Sequence, residues 1–461
     1  VKINPHIFRE YDIRGVVEKD FGGNVPFLIG RAFGSDVLYR LGGTPTVAVG
    51  RDNRPHSPQL AAEIMRGILS TGINVVDVGT VPTPLLYYAA AKLNLDGGLQ
   101  ITGSHNPPEY NGFKLLVRGR ALYGQAIQDL RARIENDHLA DGKGKQEVRD
   151  LYPTYLDDVG NRFRVQRPLK VVVDCGNGTG SLIAVDLIRK TGADVIPLYC
   201  ESDGTFPNHH PDPVVDENLR AMIELVRQEK ADLGIAFDGD ADRLGAVDER
   251  GNIVRGDILL LLFGLDTLAR LGAPQKLVFD VKCTQALPEV YAAHGGEAIM
   301  WKTGHSLIKE KMKEVGAPVA GELSGHICFG EDYYGFDDAL YGACNLVQLV
   351  SSDARPLSEV VNEFPKYVST PEIRVDVTEE NKFEIVDNAV KHFSALYDVI
   401  AVDGARVLFE NGWGLVRASN TQPVLVLRYE ARTAAALSEI QSVMEDWMRS
   451  QGVDLTATAS H

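Results

Sequence analysis

Short apolar runs closed off by glycine or proline recur along the chain, each followed by a stretch whose apolar positions return every three or four residues. Thr46-Val47-Ala48-Val49-Gly50 predicts a strand, Gln59 to Ser70 a helix with Ile64 and Ile68 inward, and Ile73 to Val78 a second strand, which together make a βαβ unit. The intervening Arg51 to Pro58 reads as a polar loop. A helix over Pro26 to Arg40 precedes the unit, and Gly97-Gly98-Leu99-Gln100-Ile101 reads as a short buried strand. The unit returns as Leu169 to Val173 (strand), Ser181 to Thr191 (helix) and Ala193 to Leu198 (strand). It returns again as Lys276 to Val281, Cys283 to His294 and Ala298 to Trp301, followed by a helix over Ser306 to Val315. Three units spaced about 100 residues apart predict three consecutive α/β domains with mixed sheets, rather than one enlarged sheet.

Beyond Pro365 the pattern changes. Glu372 to Val377 alternates as a strand and Asn381 to Leu396 is helical. Ala405 to Phe409, Gly412 to Arg417 and Val424 to Glu430 read as strands, and Ala434 to Arg449 as a closing helix. That β-α-β-β-β-α order predicts a smaller, antiparallel, helix-backed domain of α+β type. The expected divisions are 1–150, 151–253, 254–366 and 367–461.

Composition changes this picture only by exclusion. The 461 residues are 44% hydrophobic and 24% charged, the balance of a soluble globular protein. A formal charge of −16 argues against non-specific nucleic-acid binding and leaves any anionic substrate to local cations, a metal or backbone N–H groups. The five cysteines (Cys175, Cys200, Cys283, Cys328, Cys344) are scattered without C-x-x-C spacing, so neither a disulfide framework nor a zinc site is expected. Val1-Lys2-Ile3-Asn4-Pro5 carries no apolar leader, and no apolar run approaches ~20 residues. A cytoplasmic protein without membrane contact is expected.

Candidate chemistry gathers at predicted strand ends, where α/β proteins place their sites. Thr102-Gly103-Ser104-His105-Asn106-Pro107-Pro108 sets a serine on a loop that two prolines keep from becoming a helix. Phe237-Asp238-Gly239-Asp240-Ala241-Asp242-Arg243 crowds three carboxylates after the apolar Ala231 to Ala236, an arrangement that asks for a hard cation such as Mg²⁺. The spacing brings an EF-hand to mind, with Glu249 at the twelfth position, but Arg243 stands where its glycine is needed and the flanks read as strands. Gly321-Glu322-Leu323-Ser324-Gly325-His326 offers groups suited to sugar hydroxyls, and Lys302-Thr303-Gly304-His305 a cation and an imidazole. Arg417-Ala418-Ser419-Asn420-Thr421-Gln422-Pro423 offers donors for a phosphate. Gly176-Asn177-Gly178-Thr179-Gly180 lacks G-x-G-x-x-G spacing and reads as a turn that needs small residues rather than a dinucleotide site. Serine, carboxylate trio, polyol-reading loop and phosphate-gripping loop together suit phosphoryl transfer on a sugar phosphate, a reaction carried mostly by positioning and electrostatics.

Along essentially its whole length the chain resembles the α-D-phosphohexomutases, most closely the bacterial phosphomannomutase/phosphoglucomutases. The segments 102–108, 238–243, 321–326 and 417–422 carry the resemblance, in the family's order and approximate spacing. It implies four domains around a central cleft and an intramolecular phosphotransferase of the isomerase class, with Ser104 carried as phosphoserine. Mg²⁺ would be held by Asp238, Asp240, Asp242 and an oxygen on Ser104. Glu322, Ser324 and His326 would read the sugar, and Arg417, Ser419, Asn420 and Thr421 would clamp the phosphate that is not reacting. Tyr11, Arg14, Lys114, Lys282 and His305 would line the cleft with Arg243 near the serine, and either Lys114 or His305 would carry the proton. A hexose 1,6-bisphosphate would form as intermediate and activator and turn around before returning a phosphoryl group, for which the fourth domain would be hinged. By the same resemblance, Leu323 stands where dual mannose/glucose enzymes typically carry methionine and phosphoglucosamine mutases glutamine, and an apolar side chain favours the dual assignment. Phosphoglucosamine mutase, a Mg²⁺-dependent sugar phosphatase and a non-catalytic sugar-phosphate binder are the alternatives. The protein is expected to act as a monomer.

Overall fold

The computed structural model describes residues 3–420 and 422–456. The chain divides into two compact units, Val1–Leu259 with Ser324–Val360 and Leu260–Leu323 with Val361–His461, and each is described by itself.

The first unit opens with a seven-stranded sheet built from β1 (Ile13–Val16), β2 (Thr46–Arg51), β3 (Asn74–Thr80), β4 (Gly97–Ile101), β5 (Tyr110–Val117), β6 (Arg120–Ala121) and β7 (Gln146–Val148). Their order is β1-β5-β4-β2-β3-β7, with β6 on β5. β4, β2, β3 and β7 run parallel while β1 and β5 run antiparallel to their neighbours, so the sheet is mixed. Two helices cover one face, Val25–Leu41 and Ser57–Leu69, each with proline in its first turn, where no N–H is lost. They cross backbone against backbone: a Cβ on Gly30 would stand 2.2 Å from the Ile64 carbonyl, and one on Gly67 2.2 Å from that of Phe27. Phe33, Ile64 and Ile68 from these helices and Leu99 and Phe113 from the sheet are fully buried in one core.

A five-stranded sheet follows, β8 (Lys170–Asp174), β9 (Asp194–Leu198), β10 (Leu233–Phe237), β11 (Leu244–Asp248) and β12 (Ile253–Val254), in the order β12-β11-β10-β8-β9. The helix predicted over Ser181 to Thr191 is broken in two, a 3₁₀ turn over Thr179–Leu182 and an α-helix over Ala184–Lys190, with Ile183 at φ −149° between them. In the second unit three strands, Glu297–Trp301, Lys276–Asp280 and Val319–Gly321, pair in parallel. The predicted helix over Cys283 to His294 begins only at Ala286, because the Thr284 hydroxyl takes the Ala286 N–H at 3.2 Å in a local turn. The last sheet is wholly antiparallel, and its strands Ala405–Phe409, Gly412–Ala418 and Val424–Ala431 lie next to one another. Within this unit Arg406, 0% exposed, donates to the carbonyls of Val281 (2.7 Å) and Cys283 (2.9 Å) and lies over the Trp413 ring at 3.7 Å. Glu430 accepts from Thr284, Gln285 and Trp413, so buried polar groups fasten the last sheet to the end of strand Lys276–Asp280. Among the described residues no helix is long and apolar enough to cross a membrane.

One buried carboxyl in the first unit makes stability depend on pH. Asp338 caps helix Ala339–Ser352 through the Tyr341 N–H (2.9 Å) and accepts the hydroxyls of Tyr155 (2.9 Å) and Tyr333 (2.6 Å). Burial outweighs these donors and pushes its carboxyl up to about 6. A raised carboxyl stabilises the fold below the unfolded value, roughly 4, and that contribution is lost as pH rises through about 6. The stability advantage of the wild type over Asp338→Asn should therefore shrink between pH 4 and pH 7 in denaturant titrations. A constant difference would show that Asp338 does not titrate in that window.

Candidate active site

Ser104 emerges just past the end of β4. Because β2 and β4 are parallel, with Arg51 opposite Ile101, the loops that follow them leave the same sheet edge. The loop after β2 therefore meets the serine loop, and its Arg54 holds that loop in place. The Arg54 guanidinium, 0% exposed, donates to the carbonyls of Ser104 (3.0 Å), Asn106 (2.6 Å), Pro107 (2.5 Å) and Tyr110 (3.1 Å). Asp52 pairs with it at 3.1 Å and also accepts the Gly103 N–H at 2.9 Å. Gly103 is needed because a Cβ there would stand 2.4 Å from the guanidinium. Ser104 itself has φ +49°, a left-handed conformation that a serine holds only where its surroundings fix it. From β1, Arg14 donates to the Asn106 side chain and to Asp12 (2.5 Å). Tyr11, half-buried, precedes that strand.

The aspartate loop joins β10 to β11, an antiparallel pair, which disposes of the EF-hand alternative. Glu249 is turned to another task, accepting the Ser358 N–H at 3.2 Å. Asp238 Oδ1 accepts the backbone N–H groups of Asp242 and Arg243, both at 3.1 Å, and so closes the loop on itself. Its Oδ2 accepts the Ser104 hydroxyl at 3.1 Å. Gly239 permits this approach, since a Cβ there would lie 2.4 Å from the Ser104 carbonyl oxygen. Gly178 does the same from the other side, where a Cβ would lie 2.6 Å from the Gly239 oxygen, so the Gly176–Gly180 turn is a packing device.

Asp238, Asp240 and Asp242 are all 0% exposed. Asp240 Oδ2 collects the hydroxyls of Thr83 and Thr102 (3.1 Å) and the Lys114 ammonium (2.9 Å), and Lys114 also binds Asp242 Oδ2. Burial alone would lower Lys114, but the two carboxylates outweigh it and hold the ammonium well above its ordinary range. Burial would likewise raise Asp240, yet Lys114 and the threonine keep it ionised. Asp238 is driven well above the carboxylate range by burial and by the charges of Asp240 and Asp242. Asp240 Oδ1 and Asp242 Oδ1 are buried without a hydrogen-bond partner. One oxygen from each of the three aspartates lies within 4.8 Å of the others. Six-coordinate Mg²⁺, with ligands at 2.0–2.1 Å, wants its oxygens no more than ~4.2 Å apart, so at most a small closing movement is needed and the donor set fits a hard cation. Beside the trio, Arg243 donates to His326 Nε2 (3.2 Å) and lies 3.6 Å from Asp212, while His326 Nδ1 faces Asp337 at 3.0 Å. Ser324 is half-buried in the returning segment of this unit.

In the second unit Asp280, fully buried at the end of its strand, organises three loops. It accepts the Leu323 N–H (2.9 Å), the Thr303 hydroxyl (3.0 Å) and the Cys283 thiol (3.0 Å). Glu322 accepts the Gly304 N–H at 2.6 Å, next to His305 at the start of helix His305–Val315, and Gly304 is glycine because its φ is +134°. Asp403 ties the same loop to the phosphate-gripping candidates, accepting the Thr303 N–H and Arg417 Nε, both at 3.0 Å. Lys282 donates to Glu372 at 3.0 Å; burial opposes its charge, but Glu372 and Asp280 outweigh burial and raise it. Ser419 is buried and Asn420 half-buried beyond strand Gly412–Ala418, whereas Thr421 lies outside the described residues. The structure thus brings Ser104, the three aspartates, Lys114, Arg243, Arg14 and His326 together in one unit. It brings Lys282, His305, Glu322, Arg417 and Ser419 into the other. Arg54, Thr83, Asp280 and Asp403 were not legible beforehand, because their parts depend on which strand ends become neighbours.

Known proteins give this arrangement its context. Sequence profiles described as phosphoglucomutase/phosphomannomutase match in four consecutive stretches. These are alpha/beta/alpha domain I over residues 5–141, domain II over 153–251, domain III over 255–367 and the C-terminal domain over 372–446. A phosphomannomutase/phosphoglucomutase of Pseudomonas aeruginosa is 49% identical over 444 residues, 96% of this chain and 95% of that protein. A phosphoglucomutase of Neisseria meningitidis serogroup A is 46% identical over 441 residues, 95% of each chain. A crystal structure of a phosphoglucomutase/phosphomannomutase family protein from Burkholderia thailandensis superposes with a TM-score of 0.92 at 42% identity, covering 98% of this chain and 99% of its own. With its three α/β domains and C-terminal α+β domain, the chain belongs to the phosphoglucomutase/phosphomannomutase family of α-D-phosphohexomutases.

Proposed function

We propose that the protein reversibly converts hexose 1-phosphates into hexose 6-phosphates, with mannose and glucose as its sugars, through phosphoserine 104 and a hexose 1,6-bisphosphate. The observation that carries this reading is the Ser104 hydroxyl, 3.1 Å from Asp238 and backed by two buried carboxylate oxygens that accept no hydrogen bond. A hydroxyl so placed suits a phosphoryl group that is lent and reclaimed. One Mg²⁺ ion, held by Asp238, Asp240, Asp242 and an oxygen on Ser104, would supply the positive charge on which a migrating phosphoryl depends. The chain's own residues do the rest. Arg54 and Asp52 fix the serine loop, so the attacking sugar oxygen finds phosphorus at a set position as the bond to Ser104 Oγ breaks. Arg243, whose guanidinium lies against His326 and Asp212, would add positive charge near the serine, and Lys114, held protonated, neutralises Asp240 and Asp242. Glu322, Ser324 and His326 read the sugar hydroxyls, Tyr11, Arg14, Lys282 and His305 bind around it, and Arg417, Ser419, Asn420 and Thr421 hold the phosphate that is not reacting. The bisphosphate then turns and returns its other phosphoryl to Ser104. The protein acts as a cytoplasmic monomer.

Asp403 fixes Arg417 through Nε at 3.0 Å. A hydrogen bond to a charged group contributes about 1.5–3 kcal/mol, so Arg417→Ala should raise KM for the sugar phosphate about 10- to 100-fold. Unchanged KM and kcat would remove the clamp from the account. The reading as a whole is tested by a coupled assay on mannose, glucose and glucosamine 1-phosphates, with and without a trace of glucose 1,6-bisphosphate. Turnover of the first two, stimulated by the bisphosphate, is expected. Preference for the glucosamine compound would make the protein a phosphoglucosamine mutase, and release of inorganic phosphate at the same rate would make it a phosphatase.

A further inference from the structure

Cys175 and Cys200 are 25 residues apart in sequence, yet their sulfurs lie 3.1 Å from each other. The parallel pairing of β8 and β9, with Asp174 opposite Leu198, carries both chain segments off one sheet edge. Two backbone bonds, Cys175 N–H to the Leu198 carbonyl (3.2 Å) and Asn177 N–H to that of Tyr199 (2.9 Å), keep the two turns side by side. All five cysteines are free thiols. A disulfide needs sulfurs about 2.05 Å apart, so closing this pair takes a movement of only ~1 Å. Cys175 is buried and Cys200 half-buried, so a small oxidant from solvent meets Cys200 first. The neighbouring sulfur and burial push the Cys175 thiol up, so Cys200, the more accessible of the two, is the sulfur that reacts first.

The turn that starts at Cys175 is also the buttress of the aspartate loop. Gly178 N–H bonds the Cys175 carbonyl at 2.8 Å, and Thr179 N–H bonds the Gly239 carbonyl at 2.9 Å, between Asp238 and Asp240. No side chain separates the two backbones at Gly178. A shift of Cys175 would therefore bear on the loop whose Asp238 faces Ser104.

We propose that Cys175 and Cys200 form a reversible disulfide on exposure to a hydroperoxide, and that this bond slows phosphoryl transfer by displacing the Cys175–Thr179 turn. The Cys200 thiolate attacks the peroxide oxygen, breaking the O–O bond and giving a sulfenic acid and an alcohol or water. The Cys175 sulfur then displaces hydroxide from Cys200, which leaves as water with the proton Cys175 gives up. Two thiols are oxidised by two electrons in all, and one peroxide is reduced. The slowing, though not the crosslink, rests on the mutase reading, so the two are read separately.

The intact protein is treated with hydrogen peroxide, digested without reductant and mapped by mass spectrometry. A Cys175–Cys200 crosslink with the loss of two hydrogens is expected. It should be accompanied by a fall in kcat of about tenfold or more, since a 1 Å misplacement can cost ~100-fold, and by recovery with a dithiol reductant. Cys200→Ser, at a half-buried position outside the catalytic machinery, should keep the basal kcat and lose the response. Absence of the crosslink, a crosslink at unchanged kcat, or equal slowing of Cys200→Ser would each overturn the proposal. An untreated protein without mutase turnover would sink the mutase reading and with it the proposed slowing, while the crosslink would stand or fall on the mass alone.

Discussion

Replacing Ser104 with alanine should lower kcat by about 10⁴-fold or more while sugar phosphate still binds, because deleting a covalent nucleophile removes the pathway rather than one contribution to it. The fold should survive the change. Arg54 grips the serine loop through four carbonyls, none of which belongs to a side chain, and Asp52 holds it through the Gly103 N–H. The hydroxyl's described partners are the Asp238 carboxylate and the His105 ring, and Asp238 keeps its two backbone donors without it. Arg417, Lys282 and Glu322 belong to the other compact unit and are untouched. A coupled assay, calorimetric titration with glucose 1-phosphate and a thermal melt separate the three effects. Residual turnover within about tenfold of the wild type would make the serine an onlooker.

Removing divalent metal should have an effect of comparable size, a loss of about 10³-fold or more, with a shift in melting temperature of only a few degrees. The Oδ1 atoms of Asp240 and Asp242, which accept no hydrogen bond, are the reason for the first part, since buried carboxylate oxygens left without donors invite a cation. Lys114 is the reason for the second. Its ammonium stays between Asp240 and Asp242 when the ion is gone, so the unit keeps one positive charge among three carboxylates. Adding back Mg²⁺ or Mn²⁺ should restore turnover, and larger Ca²⁺, which prefers ligands at 2.3–2.6 Å, should restore it poorly. Full activity in excess chelator would overturn the assignment of Asp238, Asp240 and Asp242.

How far the sequence carried these conclusions depends on what kind of information each element needed. Strands such as Thr46–Arg51, Lys170–Asp174 and Lys276–Asp280 were legible because apolar runs between turn residues report burial directly. β5 was not, since Asn111-Gly112 looks like a turn. Gly112 is in fact a strand residue pressed so close to β1 that a Cβ would lie 2.4 Å from the Ile13 carbonyl oxygen. Helix Thr83–Lys92 was hidden behind Pro82 and Pro84, whose missing N–H groups do no harm at a helix start. The aspartate trio stood out by its crowded carboxylates, whereas Ser104, on a loop that could pass for an ordinary turn, stood out only beside the other motifs of the chain. Arg54, inside what read as a polar loop, did not, because its role follows from the parallel pairing of β2 with β4, a long-range fact that no local pattern contains.

The contact between the Ser104 carbonyl and Gly239 has a consequence for anyone wishing to move this chemistry elsewhere. Neither loop is a portable motif. The serine loop takes its shape from Arg54 and its facing surface from a bare backbone, and the aspartate loop presents that backbone only while Gly178 lies behind it. The smallest transplantable piece is thus a set of four strand ends from two sheets, and a graft of fewer would carry the residues without the register that joins them.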